Sequence, residues 1–268
     1  MTFVINSVPI TGYTHLTGPE LLKQSKKILD SVETSWTKHK AHSVTVENYH
    51  QNIDIQTYSN HDLNHEYWCA RSTNFTEFDE KSKFEIYKKL DKYAIGSIDD
   101  IDAVHTVFEK QYVPTVNDYE LIQINDFPGS NHQSIAYFAK MYYKFSFPVK
   151  NRLFYQFTYV FKDETSGYVI QLPIDPNLFH GDSAFNKDYV IGKYVSMERI
   201  TYDKITGNVN WLMATIPAPG GMIPDFIVKM TTRGEICKDV PHFFNYVNKL
   251  EPDNKPDETE NQESKSSI

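Results

Sequence analysis

Few positions in this 268-residue chain carry the residue types and spacing that chemistry requires. His61 and His65 stand at the i, i+4 separation that lets two imidazoles share a metal ion on one helix face. They fall in a polar stretch between strand patterns, the glutamate that normally follows the first histidine is missing, and no third ligand is evident, so no metal site is expected. Asp99, Asp100 and Asp102 are better explained as the first turn of a helix capped by Ser97, where the helix dipole favours carboxylates, than as a cation site. Cys69 and Cys237 carry no sequence mark of thiolate activation. A nucleophile elbow, a phosphate-binding loop and a dinucleotide fingerprint are missing, and Gly192-Lys193 lacks the glycine-rich loop that would precede it. No catalytic residue, metal or cofactor is therefore assigned. Arg71 and Arg152 remain. Either guanidinium could hold the polar end of a ligand, or serve as a surface ion pair or strand-end cap.

The bulk properties narrow the class. A net charge of −8 argues against a general nucleic-acid or anionic-membrane binder. Two cysteines are too few for a disulfide framework and fit a reducing compartment. The first ten residues, MTFVINSVPI, lack the basic start and apolar run of a secretory signal. The longest uncharged run, Ile205 to Pro224, matches a membrane span in length but carries Asn208, Asn210, prolines and glycines, and reads as strand plus loop. A cytoplasmic monomer is expected. The 18 tyrosines and 17 phenylalanines suit long sheets facing a wide apolar interior.

The elements that would position any site follow from periodicity. Residues 1–18 read as an extended lead-in, 19–250 as one domain and 251–268 as a disordered acidic tail. A helix is expected over about 19–39, then a hairpin of strands 42–49 and 52–58, a third strand at 65–72, and helical text from 76 to about 112. A short strand near 118–124 precedes five more, near 134–147, 152–162, 167–173, 189–202 and 208–216. In the first of the five, Met141, Tyr143, Phe145 and Phe147 alternate with Lys140, Lys144 and Ser146. In the next, Leu153, Tyr155, Phe157, Tyr159 and Phe161 alternate with Arg152, Gln156, Thr158 and Lys162. That is the pattern of a half-buried antiparallel meander. Trp211, Met213 and Thr215 share one face of the last strand. Ile223, Phe226, Ile227 and Met230, then Val240, Phe243, Phe244, Val247 and Leu250, fall at helical spacing with a kink expected near Gly234.

In such a meander the connections 148–151, 174–188 and 217–221 share one end of the sheet. They place Phe147, Val149, Leu178, Phe179, Phe185, Met222 and Ile223 near one rim, beside the start of the last helix. A curved sheet closed by one long helix either encloses a filled core or leaves a ligand hollow with an apolar mouth.

Two motifs add a resemblance. Pro148-Val149-Lys150-Asn151-Arg152 is similar to the Pro-x-x-x-Arg that the StAR-related lipid-transfer (START) family carries between two central strands. Gly220-Gly221-Met222-Ile223-Pro224 is similar to the family's Gly-x-Ile-Pro approach to its closing helix. Trp68, Arg71-Ser72, Ile236-Cys237-Lys238-Asp239-Val240 and Phe243-Phe244 resemble more closely an uncharacterised fungal START-like branch. The resemblance covers roughly residues 20–250. It implies an α+β helix-grip (START/Bet v1-like) fold, with a curved antiparallel sheet wrapped around the C-terminal helix.

It also implies non-catalytic binding of one lipid or sterol-like molecule, for transfer or sensing, with transient membrane contact. The hollow would be lined by Trp68, Arg71, Met141, Tyr143, Phe145, Arg152, Tyr155, Phe157, Tyr159, Trp211, Met213, Ile223, Phe226, Ile227 and Met230. Its mouth would be Phe147, Val149, Leu178, Phe179, Phe185 and Met222. The chain departs from the family at Leu153, where Asp is common, and at Asp225, where a basic residue is frequent. No acid–arginine pair of the kind found inside sterol-binding members is evident. An enzyme on the same fold, acting on an apolar or aromatic substrate, and an interaction module with a filled core are the alternatives.

Overall fold

The computed structural model describes residues 4–46, 49–147, 149–179, 188–221, 223 and 225–250, without the side chains of Asp225 and Phe226. Phe185, Met222 and the 251–268 tail lie outside the described residues, as does the Phe226 side chain.

Helix α1 (Gly18–Ser35) starts where Thr17 caps Glu20 and Pro19 fills the first turn, a place where a missing N–H costs nothing. It leads to β1 (Thr37–Lys38), β2 (His42–Val46), β3 (Gln51–Asn60) and β4 (Trp68–Asn74). Helix α2 (Glu80–Lys89) runs into a wider turn at Leu90–Ile95, and α3 (His105–Tyr112) follows. The meander is β5 (Val116–Gln123), β6 (Ser134–Tyr143), β7 (Asn151–Lys162), β8 (Ser166–Pro173), β9 (Tyr189–Tyr202) and β10 (Val209–Ala218), and α4 (Asp225–Leu250) closes the chain.

The strands form one sheet in the order β1-β3-β4-β10-β9-β8-β7-β6-β5, with β2 on β3. Neighbours pair antiparallel, except that Asn151–Phe154 of β7 pair in parallel with Tyr189–Gly192 of β9 beyond the end of β8. Two local expectations change. Ser97 accepts the N–H groups of Asp99 and Asp100 but caps only a turn, and the helix begins at His105 because Gly96, at φ +83°, folds the segment back onto Val104. Helix α4 runs unbroken through Gly234 and holds Pro241 as well, which leaves the Cys237 carbonyl without its intrahelical donor.

Both faces of the sheet are covered. On the outer face, α1 contributes Leu21, Ile28, Leu29 and Val32, and the segment before it contributes Ile5, Ile10 and Leu16. Ile10 exchanges backbone hydrogen bonds with Pro173 and Asp175, so this lead-in is tied to the end of β8. On the inner face, the second half of α4 packs Val240, Phe243, Phe244 and Val247 against Phe75, Tyr112 and Trp211. Double coverage explains why β6, β7 and β8 are buried along nearly their whole lengths, polar residues included.

Candidate functional site

Toward the start of α4 the inner face is not filled. A hollow of about 590 Å³ lies between the helix and the sheet. Its floor is Phe154 of β7, Gln171 of β8, Tyr194 and Ser196 of β9, and Met213 and Thr215 of β10. Its roof is the stripe Thr232, Glu235, Ile236 and Asp239 of α4, residues spaced three and four apart and so on one helix face. Val113, Pro114 and Thr115 after α3, with Tyr143 and Phe145, make the side wall.

The deep end narrows to a chamber of about 30 Å³ bounded by Arg71, His105, Glu109, Tyr112, Glu198 and Asp239. The register sets these residues together: β4 and β10 align Arg71 with Met213, and β10 and β9 align Met213 with Glu198. Arg71 is 1 % exposed and donates from Nη2 to Glu198 Oε1 at 2.8 Å, while its guanidinium lies 4.2 Å over the Trp211 ring. Trp211 Nε1 donates to the same carboxylate oxygen at 2.6 Å. Arg71 Nε and Nη1 and Gln171 Nε2 are buried without a hydrogen-bond partner.

His105 donates from Nδ1 to the Ala94 carbonyl at 2.5 Å, which turns Nε2 toward Glu109 at 3.6 Å. Tyr143 donates to Glu109 at 3.0 Å. Burial raises the Glu109 carboxyl above its ordinary range, opposed by His105 and the Tyr143 hydroxyl. Burial pushes Asp239 up to about 7, opposed by Arg71 and reinforced by Glu198 and Glu109. Burial first, and neighbouring carboxylates second, hold Tyr112 and Tyr143 far above a phenol's usual range. Burial also raises Cys69 to about 12 and Cys237 to about 11, which leaves both as inert thiols.

The expected lining divides sharply. Tyr143, Phe145 and Met213 line the hollow and Arg71 its deep chamber. Met141 and Trp211 belong to the inner-face core around it. Trp68, Tyr155, Phe157 and Tyr159 are on the opposite face, in the packed core under α1. Trp68 meets Trp36 at 6.1 Å, Phe157 meets Phe127 at 5.1 Å, and the Tyr159 ring lies so close to Gly18 that no Cβ would fit there. Leu178 and Phe179 also join that outer core, Phe179 against Tyr155 at 6.0 Å. The reason is the pleat: the most aromatic side of β7 faces α1, and Phe154, Gln156 and Thr158 point to the inner face.

Arg152 caps a strand end. Its Nε donates to the Pro219 carbonyl at 2.8 Å and its Nη1 to the Lys150 carbonyl, clamping β7 to the loop before α4. Gly220 and Gly221, at φ +67° and +75°, allow that loop to turn. Ile223 lines a separate recess of about 490 Å³ with Tyr67, Val228 and Lys229. Ile227 is half-buried on α4 and Met230 points to solvent at 66 % exposure. Phe147, 96 % exposed, and Val149 project from the β6–β7 connection. The His61 and Tyr67 rings lie tilted with centroids 4.9 Å apart, and among the described residues no three acidic, His or Cys side chains gather as a metal site.

Glu109, Glu198, His105 and Gln171 carry no motif in the sequence, Asp239 enters it only within Ile236–Val240, and the Arg71–Glu198 pair corrects the expectation that no acid–arginine pair lies inside. The available signal was Ser196-x-Glu198, polar residues alternating with Val195 and Met197 in a strand too long and central to face water.

No curated protein matches the chain in sequence. Among solved structures, human StAR-related lipid transfer protein 5 superposes with a TM-score of 0.58 at 9 % identity, over 87 % of this chain and 98 % of that one. Human STARD10 superposes with a TM-score of 0.57 at 10 % identity, over 85 % of this chain and 80 % of that one. Human StarD13 (DLC2), in its lipid transfer and protein localization domain, gives 0.50 at 12 % identity, over 85 % and 94 %. The large antiparallel sheet with its closing C-terminal helix is thus the α+β helix-grip fold of START domains. A family model described as "protein of unknown function (DUF3074)" matches residues 59–247, and the chain belongs to that family.

Proposed function

We propose that this protein binds one lipid or similar apolar molecule in the hollow under α4, for intracellular lipid transfer or sensing. The observation that carries the reading is the unfilled volume of about 590 Å³ between sheet and helix, within the range of small-molecule sites. Its structural neighbours are named as lipid transfer proteins, which supports the same reading. A ligand burying roughly 300 Å² of apolar surface gains about 7 kcal/mol before ordering costs, enough to outweigh imperfect polar contacts. Phe147 and Val149 suit transient contact with a membrane during exchange. Among the described residues no helix is long and apolar enough to cross a membrane. The motifs around Trp68, Arg71 and Phe243-Phe244 support a place in a fungal START-like branch, the two cysteines fit a reducing, cytoplasmic setting, and the net charge of −8 argues against nucleic-acid partners.

Native mass spectrometry of purified protein is expected to show one hydrophobe per chain, and liposome assays to show extraction or transfer. Absence of both would remove the reading. The His105–Glu109–Tyr143 chain beside Asp239 favours a second reading, an acid–base enzyme on an apolar substrate. The two part on one measurement: a carrier returns its extracted ligand with unchanged mass, and an enzyme does not.

A further inference from the structure

Helix α4 is fastened in two different ways along its length. From Ile236 onward it is held by packing, with Ile236, Cys237, Val240, Phe243, Phe244 and Val247 all buried. Between Ile227 and Glu235 no residue is buried. Two hydrogen bonds tie that stretch to the sheet side among the described residues. Tyr67 donates to the Lys229 carbonyl at 3.0 Å, and Arg233 donates from Nη1 to His39 Nε2 at 2.7 Å. The hydroxyls of Thr231 and Thr232 bond back within the helix. Gly234, next along, has open space where a Cβ would stand, and Pro241 leaves the Cys237 carbonyl unbonded. The helix backbone is therefore weakest just behind the Arg233 bond.

Arg233 fixes the state of His39. A guanidinium only donates, so Nε2 accepts and the neutral ring carries its proton on Nδ1. Ser59 Oγ lies 2.8 Å from the same nitrogen, and its hydroxyl donates there too. A proton on Nε2 would confront the guanidinium and, in the same step, turn Ser59 into an acceptor. The His39 backbone is held by the sheet, its N–H on the Thr57 carbonyl and its own carbonyl under Gln56 Nε2. Burial, then Arg233, then His61 hold His39 below the usual imidazole range. Tyr67 and Cys69, which burial pushes up to about 12, face Arg233 from the β4 side as neutral groups, and Lys38 and Lys40 flank His39 in the chain. No carboxylate pairs with His39 or Arg233 among the described residues to offset the repulsion.

The bond also sits at a partition. Val228 and Lys229 line the recess of about 490 Å³, Thr232 lines the hollow of about 590 Å³, and Pro217 borders both. We propose that His39 and Arg233 form a proton-sensitive latch: while the imidazole is neutral the front of α4 is held down, and a proton on Nε2 turns that nitrogen to Ser59, frees Arg233 and lets Ile227–Arg233 lift about Gly234, joining the recess to the hollow. The latch stands on these contacts alone, and its effect on an occupant rests on the cavity reading above. The latched form needs neutral His39, so the latch is intact above about pH 6.5 and fails as pH falls below it.

Hydrogen exchange of the full chain, read by mass spectrometry, follows the latch directly. Dissociation of Nile red, a neutral apolar dye, into acceptor liposomes follows its consequence. His39→Gln offers Arg233 an amide oxygen and does not titrate, and Arg233→Met removes the bond at every pH. At pH 7.5 wild type and His39→Gln should protect Ile227–Arg233 alike. At pH 5.5, one unit below the free imidazole, wild type should open more often than His39→Gln and release dye faster, with about tenfold the ceiling for both. Arg233→Met should be the open, fast-releasing form at both pH values. Comparison at equal pH cancels the titration of Asp239 and Glu109 in the hollow. Equal protection of wild type and His39→Gln at pH 5.5, or full protection of Arg233→Met at pH 7.5, overturns the proposal. Opening with unchanged dye release overturns it as well, since the lifted segment would not then be the partition. If no dye binds at all, the cavity reading falls, and the exchange data alone decide the latch.

Discussion

The two faces of the sheet are made by the same strands and have opposite interiors. The outer face is packed and ring-filled, with Tyr155, Phe157 and Tyr159 under α1 and Trp68 closed against Trp36. The inner face is ring-filled too under the second half of α4, but toward the start of that helix it carries Gln171, Ser196, Glu198 and Thr215, and there the protein keeps open space. Aromatic density therefore marks where the protein is solid. Scattered buried polar side chains mark where it is hollow, because each needs a partner that a packed core does not supply.

The contrast can be broken by matched substitutions. Arg71→Met on the inner face leaves Glu198 buried with the Trp211 N–H as its remaining partner, and should cost about 3–5 kcal/mol in chemical denaturation. Phe157→Ala on the outer face should cost a similar amount, about 3–5 kcal/mol, yet leave Nile red uptake per folded molecule unchanged. Loss of uptake in Phe157→Ala would mean the two faces are not independent.

Asp239→Asn works in the other direction. The carboxyl is near 3.8 when unfolded and about 7 when folded, so the folded state holds the extra proton. Stability is then greatest below about pH 4 as far as this group is concerned, and falls as pH rises to about 7. The variant should lack that fall and gain up to about 4 kcal/mol at pH 8, read from melting curves against pH. Met213→Phe should have the smallest effect on stability, under about 1 kcal/mol, because its extra atoms enter open space. It should nevertheless weaken dye uptake. A cost of several kcal/mol would show the space beside Met213 to be closed.

Much of the framework was legible in the sequence. Strand β9 lies where its pattern put it, Tyr189–Tyr202, and the other meander strands fall within a few residues of expectation, since a two-residue period is a local property. Facing was harder to read. Phe157 against Gln156 looks like core against water, but Gln156 is wholly buried and donates to the Tyr194 carbonyl. Alternation tells which residues share a side and says nothing about what covers the other side. The site suffered most. Arg71 and Glu198 are 127 residues apart, and only the register of β4, β10 and β9 makes them neighbours. Glu109 and His105 sit four apart on α3 and could have been paired from spacing alone.

Where β8 stops at Pro173, Asn151–Phe154 and Tyr189–Gly192 hydrogen-bond directly and seal the seam. The covalent link between Phe179 and Asp188 is then not what joins the two halves of the chain. Severed there, the protein should purify as a noncovalent pair of fragments, which makes this the natural cut point for a split reporter whose reassembly responds to an occupant.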